Sequence, residues 1–336
     1  MRWFHAARKR RQFRRFMATA FTTLGVCLAL SPLPAQAAVT CQDLNFPVTL
    51  GTMYGKLCKP SGATTVQVLI PGGTYNSSYW DIEFSPDTRS YRAAMNKAGF
   101  ATLALDRLGT GRSAKPLSLL VTASAQAQAA HEVIQQVRPQ FQKVIIGGHS
   151  IGAAMAMIEA GNYRDVDGVL VTGMTHRMNL ITVLPVLANM IPAPLGLGGG
   201  LDPGYLTTSP GTRYTSFHAP GPNITGAITF DETTKDVFAA TEAIDTIALT
   251  NVVIPATRRI NAPVMLIVGN DNHFCGAPLG SDCSSAEALR VSEAPFFAPE
   301  AQLRTYILNG YGHSINYAPN APDYHAVVSA WAKEIG

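Results

Sequence analysis

Six short, strongly apolar runs limit the folds open to this chain: Val66–Ile70, Ala101–Leu105, Val144–Ile146, Gly168–Val171, Val264–Val268 and Leu303–Leu308. Runs of this length suit parallel strands covered on both faces. Helical patterns lie between several of them, over Thr88–Ala98, Ser124–Val137, Ala153–Ala160 and Asp323–Ile335, the last opened by Asn320 and Pro322. Strand and helix alternating over most of the chain predict an α/β domain with a mainly parallel central sheet flanked by helices. Ahead of these runs, Asp43–Val48 and Met53–Cys58 alternate apolar and polar residues around Gly51, the pattern of a hairpin. Of 336 residues, 47% are hydrophobic and 14% charged, enough to bury a large core and unlike a disordered chain.

Two segments depart from the rhythm. The first is residues 1–37, where a basic stretch ends at Arg15, an apolar run follows from Phe16 to Leu30, and Ala35-Gln36-Ala37 closes with a small-x-small cleavage pattern. The run is about 15 residues, short of the roughly 20 that a spanning helix needs. An export signal is therefore expected over 1–37, of the ordinary secretory or, given Arg10-Arg11-Gln12-Phe13, the twin-arginine kind. It predicts a secreted or periplasmic, bacterial protein without a stable membrane anchor. Val26 before Cys27 is larger than a lipidation site prefers. The second departure runs from about His176 to Arg258, with no strong strand run, an apolar Leu184–Pro194 and a glycine-rich Leu195–Gly204. The segment and its approach carry Met174, Met178, Leu184, Leu187, Met190, Ile191 and Leu195, too many apolar side chains for a solvated linker. The expected organisation is a core of 38–175 and 259–336 with a lid inserted at 176–258.

Charge and cysteine content narrow the function. Arg2, Arg8, Lys9, Arg10, Arg11, Arg14 and Arg15 all fall in the signal, leaving 19 basic against 22 acidic residues in the remainder. A mildly acidic body has no footprint for a phosphate backbone, which argues against nucleic-acid binding. Beyond Cys27 four cysteines remain, an even number suited to an oxidising compartment. Of three possible pairings, Cys41–Cys58 and Cys275–Cys283 are expected, since one pair brackets the hairpin and the other closes a short loop. Metal binding is the alternative, but no CxxC or HxxxH spacing supports it.

The most informative stretch is Val144-Ile145-Ile146-Gly147-Gly148-His149-Ser150-Ile151-Gly152, a G-x-S-x-G between an apolar strand and a helix. A serine on so sharp a turn needs small neighbours two residues away on each side, and Gly148 and Gly152 supply them. The helix that follows aims its N-terminal amides at the site, favouring developing negative charge.

On these residues the sequence resembles the α/β-hydrolase family from roughly Cys41 to the C-terminus, and the resemblance implies that fold. It also implies a serine, acid, histidine order along the chain. Tyr311-Gly312-His313-Ser314-Ile315-Asn316, after Leu303–Leu308, looks like the family's histidine loop, making His313 the base. Gly269-Asn270-Asp271, after Val264–Val268, is similar to its acid turn, making Asp271 the acid, with Asp282 as competitor. The oxyanion hole would use the backbone N–H of Ile151 and of Gly73, with Thr74 as an alternative. Its loop reads Pro71-Gly72-Gly73-Thr74-Tyr75 where the family usually has His-Gly, a departure that raises the question of what pins the loop. Asp106–Ser113 looks like a structural loop of the family and lacks a phosphate-loop ending. His149 is expected to pack, while His176, His218 and His273 are candidates for lining a pocket.

The reading implied is a secreted serine hydrolase that cleaves a carboxylic ester or lactone of a small hydrophobic substrate, with no metal or organic cofactor. The same triad also serves acyl transfer, thioester cleavage, peptide cleavage and lyase chemistry, and a non-catalytic binding protein is a third reading. A serine at the elbow argues against dehalogenase and epoxide-hydrolase chemistry. Oligomeric state has no signal in the sequence.

Overall fold

The chain builds its sheet from one edge inward, starting with a hairpin of β1 (Val39–Val48) and β2 (Gly51–Pro60). Gly51 makes the turn at φ +128°, a conformation that disfavours any side chain. The computed structural model describes residues 38–196, 201–247, 256–271, 273–276 and 278–336. The export signal expected at 1–37, with Arg10, Arg11 and Cys27, lies outside them. The hairpin leads to β3 (Thr65–Ile70), the short helices α1 (Pro86–Arg89) and α2 (Tyr91–Lys97), and β4 (Ala101–Leu105). Then come α3 (Ala123–Val137), β5 (Lys143–His149), α4 (Ile151–Tyr163) and β6 (Gly168–Thr172).

After β6 the chain leaves the sheet through α5 (Leu180–Ala188), β7 (Met190–Pro192), α6 (Ala193–Gly196), β8 (Tyr205–Thr208), α7 (Thr225–Thr233), β9 (Phe238–Ala239) and α8 (Ala240–Ile247). It returns as β10 (Val264–Gly269), α9 (Ala286–Glu293), β11 (Arg304–Leu308) and α10 (Ala321–Ile335). Among the described residues the main sheet has eight strands in the order β1-β2-β4-β3-β5-β6-β10-β11. Every neighbouring pair from β4 onward is parallel.

All residues of β3, β4, β6 and β10 are buried, as unalternated apolar runs require. Successive side chains divide between two cores. Val66, Val68, Val144 and Ile146 pack with Val133 and Ile134 of α3 and Met155 of α4. Leu69, Ile145, Leu170 and Ile267 pack with Tyr91 of α2 and Tyr324 and Trp331 of α10 on the opposite face.

The structure corrects two expectations. The helix expected over Thr88–Ala98 breaks at Ser90, which ends α1 and caps α2: its Oγ accepts from Ala93 N at 3.0 Å and donates to Asp81 at 2.8 Å. And the stretch read as lacking strands carries a second, three-stranded antiparallel sheet, β7-β8-β9. Its strands are two to four residues long, too short to show alternation. Cys41 is bonded to Cys58 across the hairpin, and Cys275 to Cys283 in the loop after β10. No described helix is long and apolar enough to cross a membrane.

Candidate active site

Ser150 sits between β5 and α4 at φ 55° and ψ −128°, a strained backbone for a residue with a side chain. The sharpness of this turn explains its glycines. A Cβ on Gly148 would lie 2.1 Å from the carbonyl oxygen of Gly152, and one on Gly152 would lie 2.4 Å from that of Pro71. Larger residues at either position would push the turn open. The backbone N–H of Ile151 opens α4 directly after the serine.

Asp271 and His313 follow the neighbouring parallel strands β10 and β11, so the C-terminal ends of β5, β10 and β11 gather at one edge of the sheet, where open α/β folds place their sites. Asp271 Oδ2 lies 2.5 Å from His313 Nδ1. Its other oxygen accepts from His273 N at 3.0 Å and lies 2.8 Å from His273 Nδ1. Burial works to raise the Asp271 carboxyl, but the charges of His313 and His273 outweigh it and hold it well below the usual carboxylate range. Against the same burial, Asp271 lifts the His273 imidazole above its ordinary value. Asp282, the competing acid, is exposed and accepts from Ser284 N at 2.9 Å. Gly73, Ser150, Ile151, His273 and His313 all line one cavity of about 350 Å³.

What pins the loop that begins at Pro71 is two buried arginines. Arg107, in the Asp106–Ser113 loop, donates to Gly72 O at 3.1 Å and to Val237 O at 3.0 Å, and its guanidinium pairs with Glu242 of α8. Arg213 Nη1 donates to Thr74 Oγ1 at 2.6 Å, holding a buried threonine whose φ is 61°. Thr74 is thus tied through its side chain, while Gly73 faces the cavity.

Arg213 belongs to a buried polar hub around Asp231 that sequence reading missed. Asp231 accepts from Arg213 Nε at 3.0 Å and Nη2 at 2.6 Å, and from Tyr75 Oη at 3.3 Å. His218 Nε2 lies 2.6 Å from Asp231 and its Nδ1 2.6 Å from Tyr311 Oη. Tyr75 Oη is 2.7 Å from Ser314 Oγ. Backbone completes the clamp on the histidine loop: Ser314 N donates to Phe217 O at 2.9 Å and Gly312 N to His218 O at 3.2 Å. Burial raises the Asp231 carboxyl, but Arg213 and then His218 overcome it and bring it down to about 2.

Of the histidines considered for a pocket, His273 lines the cavity. His176 is instead buried against Glu293 at 2.7 Å, and His218 is in the hub. His149 packs as expected, stacked on Tyr79 at 4.4 Å, and burial, aided by the His313 charge, drives its pKa well below the ordinary value.

The model of the alpha/beta hydrolase family matches residues 67–328. The chain belongs to the alpha/beta hydrolase family. The match spans every strand from β4 to β11, with both candidate loops and the whole excursion between β6 and β10. No curated protein sequence matches the chain significantly. Among solved structures it is similar to proteins described as a thermophilic esterase from Thermogutta terrifontis, the carboxylesterase CesB from Bacillus subtilis and a thermostable carboxyl esterase from Bacillus coagulans. The first is 13% identical over 88% of this chain and 99% of its own, with a TM-score of 0.56. The second is 13% identical over 86% and 91%, with a TM-score of 0.59. The third is 16% identical over 88% and 99%, with a TM-score of 0.58. At these identities the likeness is one of fold, and the alpha/beta hydrolase fold supports many chemistries.

Proposed function

We propose that this alpha/beta hydrolase is an exported serine esterase that cleaves carboxylic esters or lactones with a hydrophobic acyl part. The observation that carries the reading is Ser150 at its strained elbow, facing the same cavity as a His313 that is bonded to the buried Asp271. In this reading Ser150 Oγ attacks the ester carbonyl as His313 takes its proton, and Asp271 holds the imidazole and balances the imidazolium. The N–H groups of Gly73 and Ile151 stabilise the oxyanion. The alcohol leaves with the proton returned by His313, and water, activated by the same base, releases the acid from the acyl-enzyme. The walls supply little polarity: Met174, Met190, Phe217 and Phe238 line the cavity beside the reacting groups. Residues 176–258 would serve as the lid, and two disulfides suit a chain exported by the signal at 1–37.

A panel of nitrophenyl esters of increasing acyl length tests the proposal. The wild-type protein should hydrolyse it with an optimum set by the cavity, and Ser150→Ala should lower kcat by a factor on the order of 10⁴ or more. A folded wild-type protein inert on every ester and lactone, or a Ser150→Ala variant of undiminished activity, rejects it.

A further inference from the structure

A second cluster of reactive side chains lies where α3 packs on α4. His131 projects from α3, Glu159 from the last turns of α4, and Asp165 from the turn just after α4. His131 Nδ1 is 2.9 Å from Asp165 Oδ2 and 3.5 Å from Glu159 Oε1, and one ligand atom from each residue lies within 4.8 Å of the others. The side chain of Glu159 is 0% exposed, and its oxygens accept no well-formed hydrogen bond among the described residues: the groups beside them are the His131 imidazole, at the long distance of 3.5 Å, and the carboxyl of Asp165. A fully buried carboxylate facing a second carboxylate, with only a distant imidazole beside it, is costly unless a proton or a cation lies between them. His131 and Asp165 are 24% and 21% exposed, which leaves a path for an ion and its remaining waters. The surroundings hold the donors in place. The His131 ring stacks on Tyr163 at 3.7 Å, and Gln135 donates to Asp165.

We propose that His131, Glu159 and Asp165 form a divalent-cation site that clips α3 to the end of α4. One imidazole and two carboxylates suit Zn²⁺ better than Mg²⁺, which prefers an all-oxygen shell, and three protein ligands with water in the fourth position is a known zinc arrangement. The alternative occupant is a proton. Burial, and next the charge of Asp165, raise Glu159 to about 9, so without an ion it keeps a proton that it can share with Asp165. Arg138 is the nearby fixed cation that acts on Glu159, but its guanidinium is turned to Asp167 at 3.7 Å.

The experiment follows thermal unfolding and calorimetric binding of chelator-treated protein titrated with Zn²⁺ and, in parallel, Mg²⁺. At a hundredfold excess over Kd, Zn²⁺ should raise Tm by roughly 5 °C and Mg²⁺ should do far less. His131→Ala and Asp165→Asn, both at partly exposed positions, should abolish the rise. They should also remove the visible ligand-field bands that Co²⁺ gives with the wild-type protein, while ester hydrolysis stays unchanged. Glu159→Gln should behave alike if it folds, and the variants at His131 and Asp165 decide the matter if it does not. No rise with Zn²⁺, or an equal rise in wild type and both variants, overturns the proposal; the equal rise would place the ion elsewhere, for instance at Asp271, His273 and His313.

Discussion

The excursion between β6 and β10 contains two stretches built on opposite principles. From Arg213 to Glu242 its anchors are polar and sealed: Arg213, His218, Asp231 and Glu242 are all fully buried. In α5 no residue is buried, and Leu180, Ile181, Leu184 and Leu187 are exposed. The first stretch grips the loops on either side of Ser150, through Thr74 and Tyr75 on one side and Tyr311 and Ser314 on the other. The second offers the cavity an apolar wall and is not held by buried ion pairs. Directional bonds fix geometry, whereas apolar contact scales with area and tolerates sliding. In the proposed esterase one stretch would thus position Ser150 and His313 while the other adapts to the substrate.

The contrast breaks most readily at Asp231. Asp231→Ala leaves the Arg213 guanidinium buried without its partner and should cost about 3–5 kcal/mol of unfolding free energy, read from urea denaturation. Under the proposed function activity should fall with it, because the loop at Pro71–Tyr75 and the loop of His313 lose their common anchor. A loss below about 1 kcal/mol would mean that the hub is not what holds this stretch.

Acid probes the same hub less severely. Asp231 is held at about 2 in the folded protein, and the ordinary value is 3.8. A lowered carboxyl contributes stability that is present above the unfolded value and lost as pH falls through the folded one. The groups that face it are Arg213, His218, Tyr75, Tyr311 and Tyr317, and Arg213 stays charged throughout this range. Wild type should therefore lose on the order of 2 kcal/mol from this group between about pH 4 and pH 2. Asp231→Asn should unfold along a shallower acid profile, measured as Tm against pH. Parallel profiles for the two proteins would remove Asp231 as the source.

The hub also shows where sequence reading stops. Ser150, Asp271 and His313 each follow an apolar strand on a short turn, so a local pattern marks them before any contact is known. The same patterns exposed both disulfides and all eight strands of the main sheet. Nothing local marks Arg213, whose partners Thr74 and Asp231 are 139 and 18 residues away, or His218, whose partner Tyr311 is 93 away. His131, Glu159 and Asp165 likewise meet only because α3 packs on α4, and their spacing matches no metal motif. The broken helix at Ser90 was missed for a different reason: its apolar period continues across a side-chain cap that ends one helix and starts the next. Pro71 marked a real gap in the expected pattern, and buried arginines from distant segments fill it.

The smallest effects should come from α5, and they separate its two faces. All four leucine and isoleucine side chains are exposed, but only Leu180 and Leu187 line the cavity, and Ile181 and Leu184 do not. Serine at any of the four should change stability by about 0.5 kcal/mol or less, since none is buried. Leu180→Ser with Leu187→Ser should raise KM for long-acyl esters by about tenfold, roughly the contact of one or two methylene groups, and leave short esters unaffected. Ile181→Ser with Leu184→Ser should leave KM unchanged for both. Equal rises from the two pairs would show that the helix acts through its overall apolarity. A rise for short esters would mean that α5 also helps to place the reacting groups, and the division of labour between the two stretches would fail.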